Sequence, residues 1–110
     1  MITRFALFEG AVRPGEEAAF QTAVQDRLVP LWTQFTGNTD VRVMFSVDRD
    51  EGAPAFPLIL AISYPDIATM NAALECPARY LSKEVTGEIV AQYFEGRIHH
   101  HVTEAHEFTN

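Results

Sequence analysis

The pattern of hydrophobic and polar positions changes its period along the 110-residue chain, and each period predicts a type of element. Segment 2–12 is short and apolar, ends before a Pro-Gly pair, and predicts a strand covered on both faces. Segment 14–35 has helical spacing and predicts a helix that Pro30 interrupts near Leu28. Strands are predicted by the alternation over 41–48 and by the nearly continuous apolar run over 56–64.

The C-terminal half predicts two helices and a last strand. Asp66 suits the cap of a helix over 67–75, and Pro77 begins a second helical pattern. Gly96 predicts the end of that helix, and a fourth strand, RIHHHVTEA, is predicted to follow. The buried positions predicted for the second helix are Leu81, Val85, Ile89 and Tyr93.

The resulting order, β-α-β-β-α-β, predicts an α+β, ferredoxin-like fold in one domain over residues 1–110. In this fold a four-stranded antiparallel sheet carries both helices on one face. The other face is left bare, and Phe and Met side chains on it need cover. A second copy of the chain is the expected cover, so we expect a homodimer.

Two segments resemble a known group of proteins. EEAAFQTAVQDRLVPLWTQFTG resembles the first helix of the EthD-like group of the dimeric α+β barrel superfamily, and FEGRIHHHVTE resembles the segment that leads into its last strand. The resemblance covers essentially the whole chain. It implies that two chains join their sheets into one barrel, with a ligand cavity between sheet and helices. Many EthD-like sequences have a histidine two positions before the helix proline, where this chain has Leu28.

Members of that superfamily include cofactor-free monooxygenases, isomerases, polyketide cyclases, haem-degrading enzymes and proteins without an assigned role. The fold alone therefore does not choose a function.

Charge and cysteine content narrow the possible partners and location. The formal net charge is -7, from 8 basic and 15 acidic residues, and the scattered basic residues argue against binding to nucleic acid. Arg79 and Lys83, four residues apart on a predicted helix, are interpreted as a solvated face. The single cysteine, Cys76, excludes an intrachain disulfide, and we find no signal peptide or membrane-spanning run. We therefore expect a cytoplasmic protein that does not bind a membrane.

All four histidines lie near the C-terminus, three of them consecutive. Alternate residues of a strand share a face, so His100 is expected to lie with Ile98 and Val102 between the sheet and the helices. His99 and His101 would share the opposite face. An H-x-H pair can supply two metal ligands, but no companion ligand motif accompanies it, and hydrogen-bonded or solvated histidines are the favoured interpretation. We therefore predict no metal site.

Two functional hypotheses remain open at this point. The first is a homodimeric enzyme without metal or organic cofactor, acting on a small apolar or aromatic molecule between the sheet and the helices. His100 would be the catalytic acid or base, and Trp32 and Tyr80 would form walls of the ligand pocket. The alternative is a non-catalytic, ligand-binding or stress-type dimeric module, with its cavity filled by its own side chains. Leu28 in the place of a histidine favours this alternative.

Overall fold

A computed structural model describes residues 1–109 and confirms the predicted α+β, ferredoxin-like fold. The sheet has four antiparallel strands in the order β2-β3-β1-β4. The strands are β1 (Ile2–Val12), β2 (Asp40–Phe45), β3 (Leu58–Tyr64) and β4 (Phe94–Glu104). The helices are α1 (Glu17–Ala23), α2 (Val29–Trp32), α3 (Ile67–Ala73) and α4 (Pro77–Tyr93), and a π-helical segment, Val24–Leu28, joins α1 to α2.

Pro30 alters the first helical region without ending it. Proline has no backbone N–H and its ring crowds the preceding turn, so regular α-helical bonding cannot pass through this position. The chain accommodates it with the wider π-helical segment that ends at Leu28, and Pro30 then lies in the first turn of α2. Leu28 itself is 1% exposed and belongs to the core. The predicted interruption is therefore a change of helix type at the predicted place.

The predicted cap of α3 is confirmed, whereas the predicted end of α4 is wrong. Asp66 accepts a hydrogen bond from the backbone N–H of Thr69 at 2.8 Å. Helix α4 already ends at Tyr93, and Gly96 lies inside β4, directly opposite Gly10 of β1. Both glycines have positive φ, 155° and 147°, and a Cβ on either would collide with a carbonyl oxygen of the other strand. The two glycines thus permit a close approach of β1 and β4.

The core lies between the sheet and the helices. The Phe94 ring stacks on Phe20, with 6.0 Å between centroids, and meets the edge of Phe8 at 6.1 Å. All three rings are buried, and burial of one such side chain contributes about 1.5–3 kcal/mol to folding. None of the helices in the described part of the chain has both the length and the apolar character that a membrane crossing requires.

The opposite side of the sheet, here called the open face, has no helix of residues 1–109 packed on it. Its apolar members are Phe5 and Leu7 of β1, Met44 of β2, and Ile59 and Ala61 of β3. Met44 is 40% exposed. The polar members of the open face include Thr3, Glu9, Asp40, Arg42, Ser63, His99, His101 and Thr103.

Candidate ligand-binding site

A cavity of about 340 Å³ lies between the sheet and the helices. This volume falls in the range of pockets that hold small organic molecules. Its floor is formed by side chains of the sheet, including Arg4, Ala6, Phe8, Leu60, Tyr64 and His100. Its walls are formed by side chains from the helical regions, including Trp32, Phe35, Arg79, Ser82, Lys83 and Val90.

The register of the sheet explains why space remains in the middle of this layer. Ala6 of β1 pairs with Leu60 of β3 on one side and with His100 of β4 on the other, so the three side chains share one face. Ala6 is only 6% exposed, and its single methyl group cannot reach the helices above it. The small residue at the centre of the floor therefore leaves room for a ligand.

The two ends of the cavity differ in polarity. Arg4 lies toward the start of β1, and Arg79 and Lys83 lie in the first turns of α4 at the same end. Phe8 of β1 pairs with Ile98 of β4 farther along the sheet, and Val90 lies toward the end of α4 above them. The cavity therefore runs from a cationic end to an apolar end.

His100 lies on the helix-facing side of β4, as the strand alternation predicted, and borders the cavity where it opens to solvent. Partial burial, together with the positive charges of Arg4 and Arg79, lowers the pKa of His100 to about 4. At neutral pH the imidazole is therefore uncharged and has a nitrogen free to accept a proton.

Two aromatic side chains of the floor and the wall complete the surroundings of His100. Trp32, which follows the π-helical segment, is 3% exposed and lines the cavity where the sequence predicted a pocket wall. Tyr64 is 1% exposed, and burial raises its pKa to about 12. Its phenol is thus a neutral hydroxyl at physiological pH.

The predicted place of Tyr80 in the cavity wall is wrong. Tyr80 is 53% exposed, and its hydroxyl donates a hydrogen bond to Glu75 on the outer side of the molecule. The reason is the helical period, because each residue turns about 100° from the one before it. Arg79 and Lys83 point to the cavity, so Tyr80 between them points away.

Arg79 and Lys83 are cavity residues that the sequence interpretation placed on a solvated face. Their spacing of four puts both on one side of α4, but spacing alone does not say which side. The buried side contains Ser82, which is 4% exposed, whereas Leu81, predicted to be buried, is 48% exposed. The polar residues Ser82 and Thr86 at helical spacing from Arg79 were the available signal for a side that lines a cavity.

His99 and His101 lie on the open face, away from the cavity. The Nε2 atom of His99 is 2.7 Å from Oε1 of Glu9, so this imidazole already has a hydrogen-bond partner. Within residues 1–109, no three His, Cys, Asp or Glu side chains group so that they could hold a metal ion.

Comparisons with known proteins support the fold and little beyond it. No protein-family model matches the chain, and no curated protein matches it. An EthD family protein from Bacillus halodurans has a similar structure, with a TM-score of 0.77, 20% identity, and coverage of 96% of this chain and 99% of that one. SnoaB, a cofactor-independent oxygenase from Streptomyces nogalater, matches with a TM-score of 0.65, 15% identity, and coverage of 97% and 94%.

A dimeric ferredoxin-like protein of unknown function from Jannaschia also matches, with a TM-score of 0.64, 17% identity, and coverage of 94% and 98%. These likenesses confirm, at the level of the fold, the resemblance to dimeric α+β barrel proteins and to their EthD-like group.

Proposed function

We propose that this protein is a homodimer that binds a small, mostly apolar molecule in the cavity and exchanges a proton with it through His100. The cavity carries the proposal, because a volume of about 340 Å³ remains open inside an otherwise packed layer. Empty apolar space costs stability, since its lining side chains forfeit packing contacts. The open space beside His100 therefore supports a ligand-binding role.

The open face supports the homodimer. Phe5, Leu7 and Ile59 form an apolar centre on a sheet that no helix of residues 1–109 covers on that side. A second sheet of the same kind would cover it, and one similar structure is described as a dimeric ferredoxin-like protein.

The surroundings of His100 support proton transfer without a cofactor. In the proposed step a C–H or O–H bond of the ligand breaks, its proton moves to the free imidazole nitrogen, and the electron pair remains on a ligand oxygen. Arg4 and Arg79, whose charges lower the pKa of His100, would stabilise that developing anion. SnoaB, a structural neighbour, is described as a cofactor-independent oxygenase.

A non-catalytic, ligand-binding module is the second candidate. It is favoured by the pKa of His100, about 4, because a general base works best when its pKa is near the working pH. The version of this candidate in which the protein's own side chains fill the cavity conflicts with the open volume.

The binding part of the proposal is tested with 2-naphthamide, an uncharged aromatic probe, by isothermal titration calorimetry. We expect binding to the native protein and at least about tenfold weaker binding to Ala6→Leu, because the larger side chain fills the floor of the cavity. Thr86→Leu narrows the cavity from α4 and replaces Ala6→Leu if that variant fails to fold. Ala72→Leu, on the exposed surface of α3, is the matched control. Equal binding to the native protein, Ala6→Leu and Thr86→Leu would refute the cavity as the site.

The proton-transfer part is tested with 2-tetralone, a small cyclic ketone with acidic C–H bonds, in deuterated buffer. We expect the protein to accelerate hydrogen–deuterium exchange at these bonds, measured by NMR, by about a hundredfold or more. His100→Gln should lose the acceleration and still bind the ketone. If binding persists and the native protein gives no acceleration, the non-catalytic candidate is the correct one.

A further inference from the structure

We infer that the cavity takes an amphiphilic organic anion: an apolar body of about one or two rings that carries a single carboxylate-type group. The carboxylate would lie at the cationic end, between Arg4 and the pair Arg79 and Lys83, and the apolar body would reach toward Phe8 and Val90. This inference rests on the proposed binding function and names the chemical class of its ligand.

The first step of the argument is that the cationic end has no anion of its own. Among the ion pairs of residues 1–109, none within 4.0 Å involves Arg4, Arg79 or Lys83. The chain has 15 acidic residues and only 8 basic ones, so acids are plentiful. On the surface, other arginines do pair, as Arg13 does with Glu95 at 2.8 Å and Arg27 with Glu88 at 2.9 Å.

The second step is that these cations come from different elements and converge. Arg4 belongs to the central strand β1, whereas Arg79 and Lys83 are one turn apart on α4. Arg4 and Arg79 line the same cavity, and burial together with the positive charge of Arg79 lowers the pKa of Arg4. Like charges held near each other in partial burial repel, and an anion between them would offset that repulsion.

The third step is the composition of the rest of the cavity. Beyond Ala6 the lining is mostly apolar, with Phe8, Ile98 and Val90 toward the far end and Thr86 as a polar member on α4. Such a lining offers nothing to a fully hydrated ion, but it favours the transfer of a hydrocarbon ring from water. A ligand that uses both ends must have a charged head and an apolar body.

The test compares 2-naphthoate with 2-naphthamide, which have the same rings and differ by the negative charge. In calorimetric titrations of the native protein at low salt, we expect 2-naphthoate to bind at least about tenfold more tightly, with a preference that shrinks as salt is added. Arg79→Met should remove most of the preference and retain binding of 2-naphthamide. Arg4→Met is the second variant, and Arg49→Met, in an exposed turn, is the control with the same loss of charge.

The outcomes separate this inference from the proposed function. Equal binding of both probes, abolished in Ala6→Leu and unchanged in Arg79→Met and Arg4→Met, would overturn the anion preference and leave the binding cavity intact. Failure of both probes to bind the native protein would overturn the proposed function and the inference together. Inorganic phosphate should not displace 2-naphthoate at equal concentration, and displacement would show a site for any small anion rather than an amphiphilic one.

Discussion

The two faces of the sheet are built from the same strands but differ in how far helices cover their apolar side chains. On the helix-facing side, residues such as Phe8 and Leu60 are buried by the chain's own helices, and a cavity of about 340 Å³ remains among them. On the open face, Phe5, Leu7 and Ile59 face outward with no helix of residues 1–109 above them. Helices of residues 1–109 cover the helix-facing side and leave the open face without cover.

The distribution of charge follows the same division. The helix-facing side contains Arg4 and Arg79, which form no ion pair within residues 1–109, beside an uncharged His100. On the open face, Thr3 and Ser63 form a 2.8 Å hydrogen bond and His99 contacts Glu9, whereas the buried Oδ1 of Asp40 has no hydrogen-bond partner among residues 1–109. Neutral hydrogen-bonded groups such as Thr3 and Ser63 suit burial against protein, whereas cations without an acidic partner suit contact with an anion.

The largest expected effect concerns the open face. Leu7→Glu places a carboxylate at its apolar centre, next to Ile59. Burying an unpaired charge costs about 3–5 kcal/mol, and a two-fold interface would bury two of them. We expect the native protein to be a dimer and Leu7→Glu to be a folded monomer at micromolar concentration, as measured by light scattering after gel filtration.

Val47→Glu is the control for this variant. Val47 is 98% exposed in a loop, so the substitution adds the same charge at a position in solvent. It should remain dimeric. A native protein that is a stable monomer would remove the distinction between the two faces, and so would a dimer that Leu7→Glu leaves intact.

The next effect concerns the helix-facing side and should leave association unchanged. Phe94→Ala removes a ring that is 2% exposed and contacts both Phe20 and Phe8. Loss of a buried phenylalanine costs about 3–5 kcal/mol of unfolding free energy, measured by urea denaturation at one fixed chain concentration. Phe108→Ala, where the ring is 92% exposed, should cost almost nothing. Equal costs for the two variants would contradict the description of this core.

Sequence patterns predicted the sheet far better than the cavity. The alternation of Val41, Val43, Phe45 and Val47 predicted one dry face of a strand, because side chains of a strand alternate between two faces. The first three pack against the core, whereas β2 ends at Phe45 and Val47 is 98% exposed in the loop that follows. The segment predicted as the first strand, 2–12, has the same bounds as β1. Alternation also placed His100 on the side of the helices and His99 on the open face.

Helix α4 was harder to interpret, for a physical reason. A helix that packs on a full core shows a continuous apolar stripe, but α4 forms the wall of a cavity and presents Ser82 and Thr86 to it. Of the predicted stripe, Ile89 is 1% exposed and Val85 and Tyr93 pack against the core, whereas Leu81 is 48% exposed because Ser82 takes the buried position in this turn. Tyr80 was predicted to line the pocket because its helix covers the sheet, and Arg79 was assigned to a solvated face from its spacing with Lys83. The orientation of the first turns of α4 reverses both assignments.

The smallest expected effect is a pH dependence that His100 gives to the helix-facing side. In the unfolded chain this imidazole takes up a proton near its ordinary pKa of 6.5, whereas in the folded chain its pKa is about 4. The neutral form therefore contributes stability above pH 6.5 that is lost as the pH falls toward 4. Burial and the charges of Arg4, Arg79, Lys83 and His99 cause the shift. Tyr64, which also lines the cavity, stays neutral throughout this range.

Because the imidazole is exposed at the cavity mouth, solvent screening reduces the expected change in unfolding free energy to about 1 kcal/mol. Between about pH 7 and pH 4.5, His100→Gln should lose about 1 kcal/mol less unfolding free energy than the native protein, as measured by urea denaturation. His106→Gln, on the exposed C-terminal segment, is the control and should follow the native protein. If all three proteins lose stability in parallel, the cationic end of the cavity does not lower the pKa of His100. The difference in charge between the two faces of the sheet is then smaller than their geometry indicates.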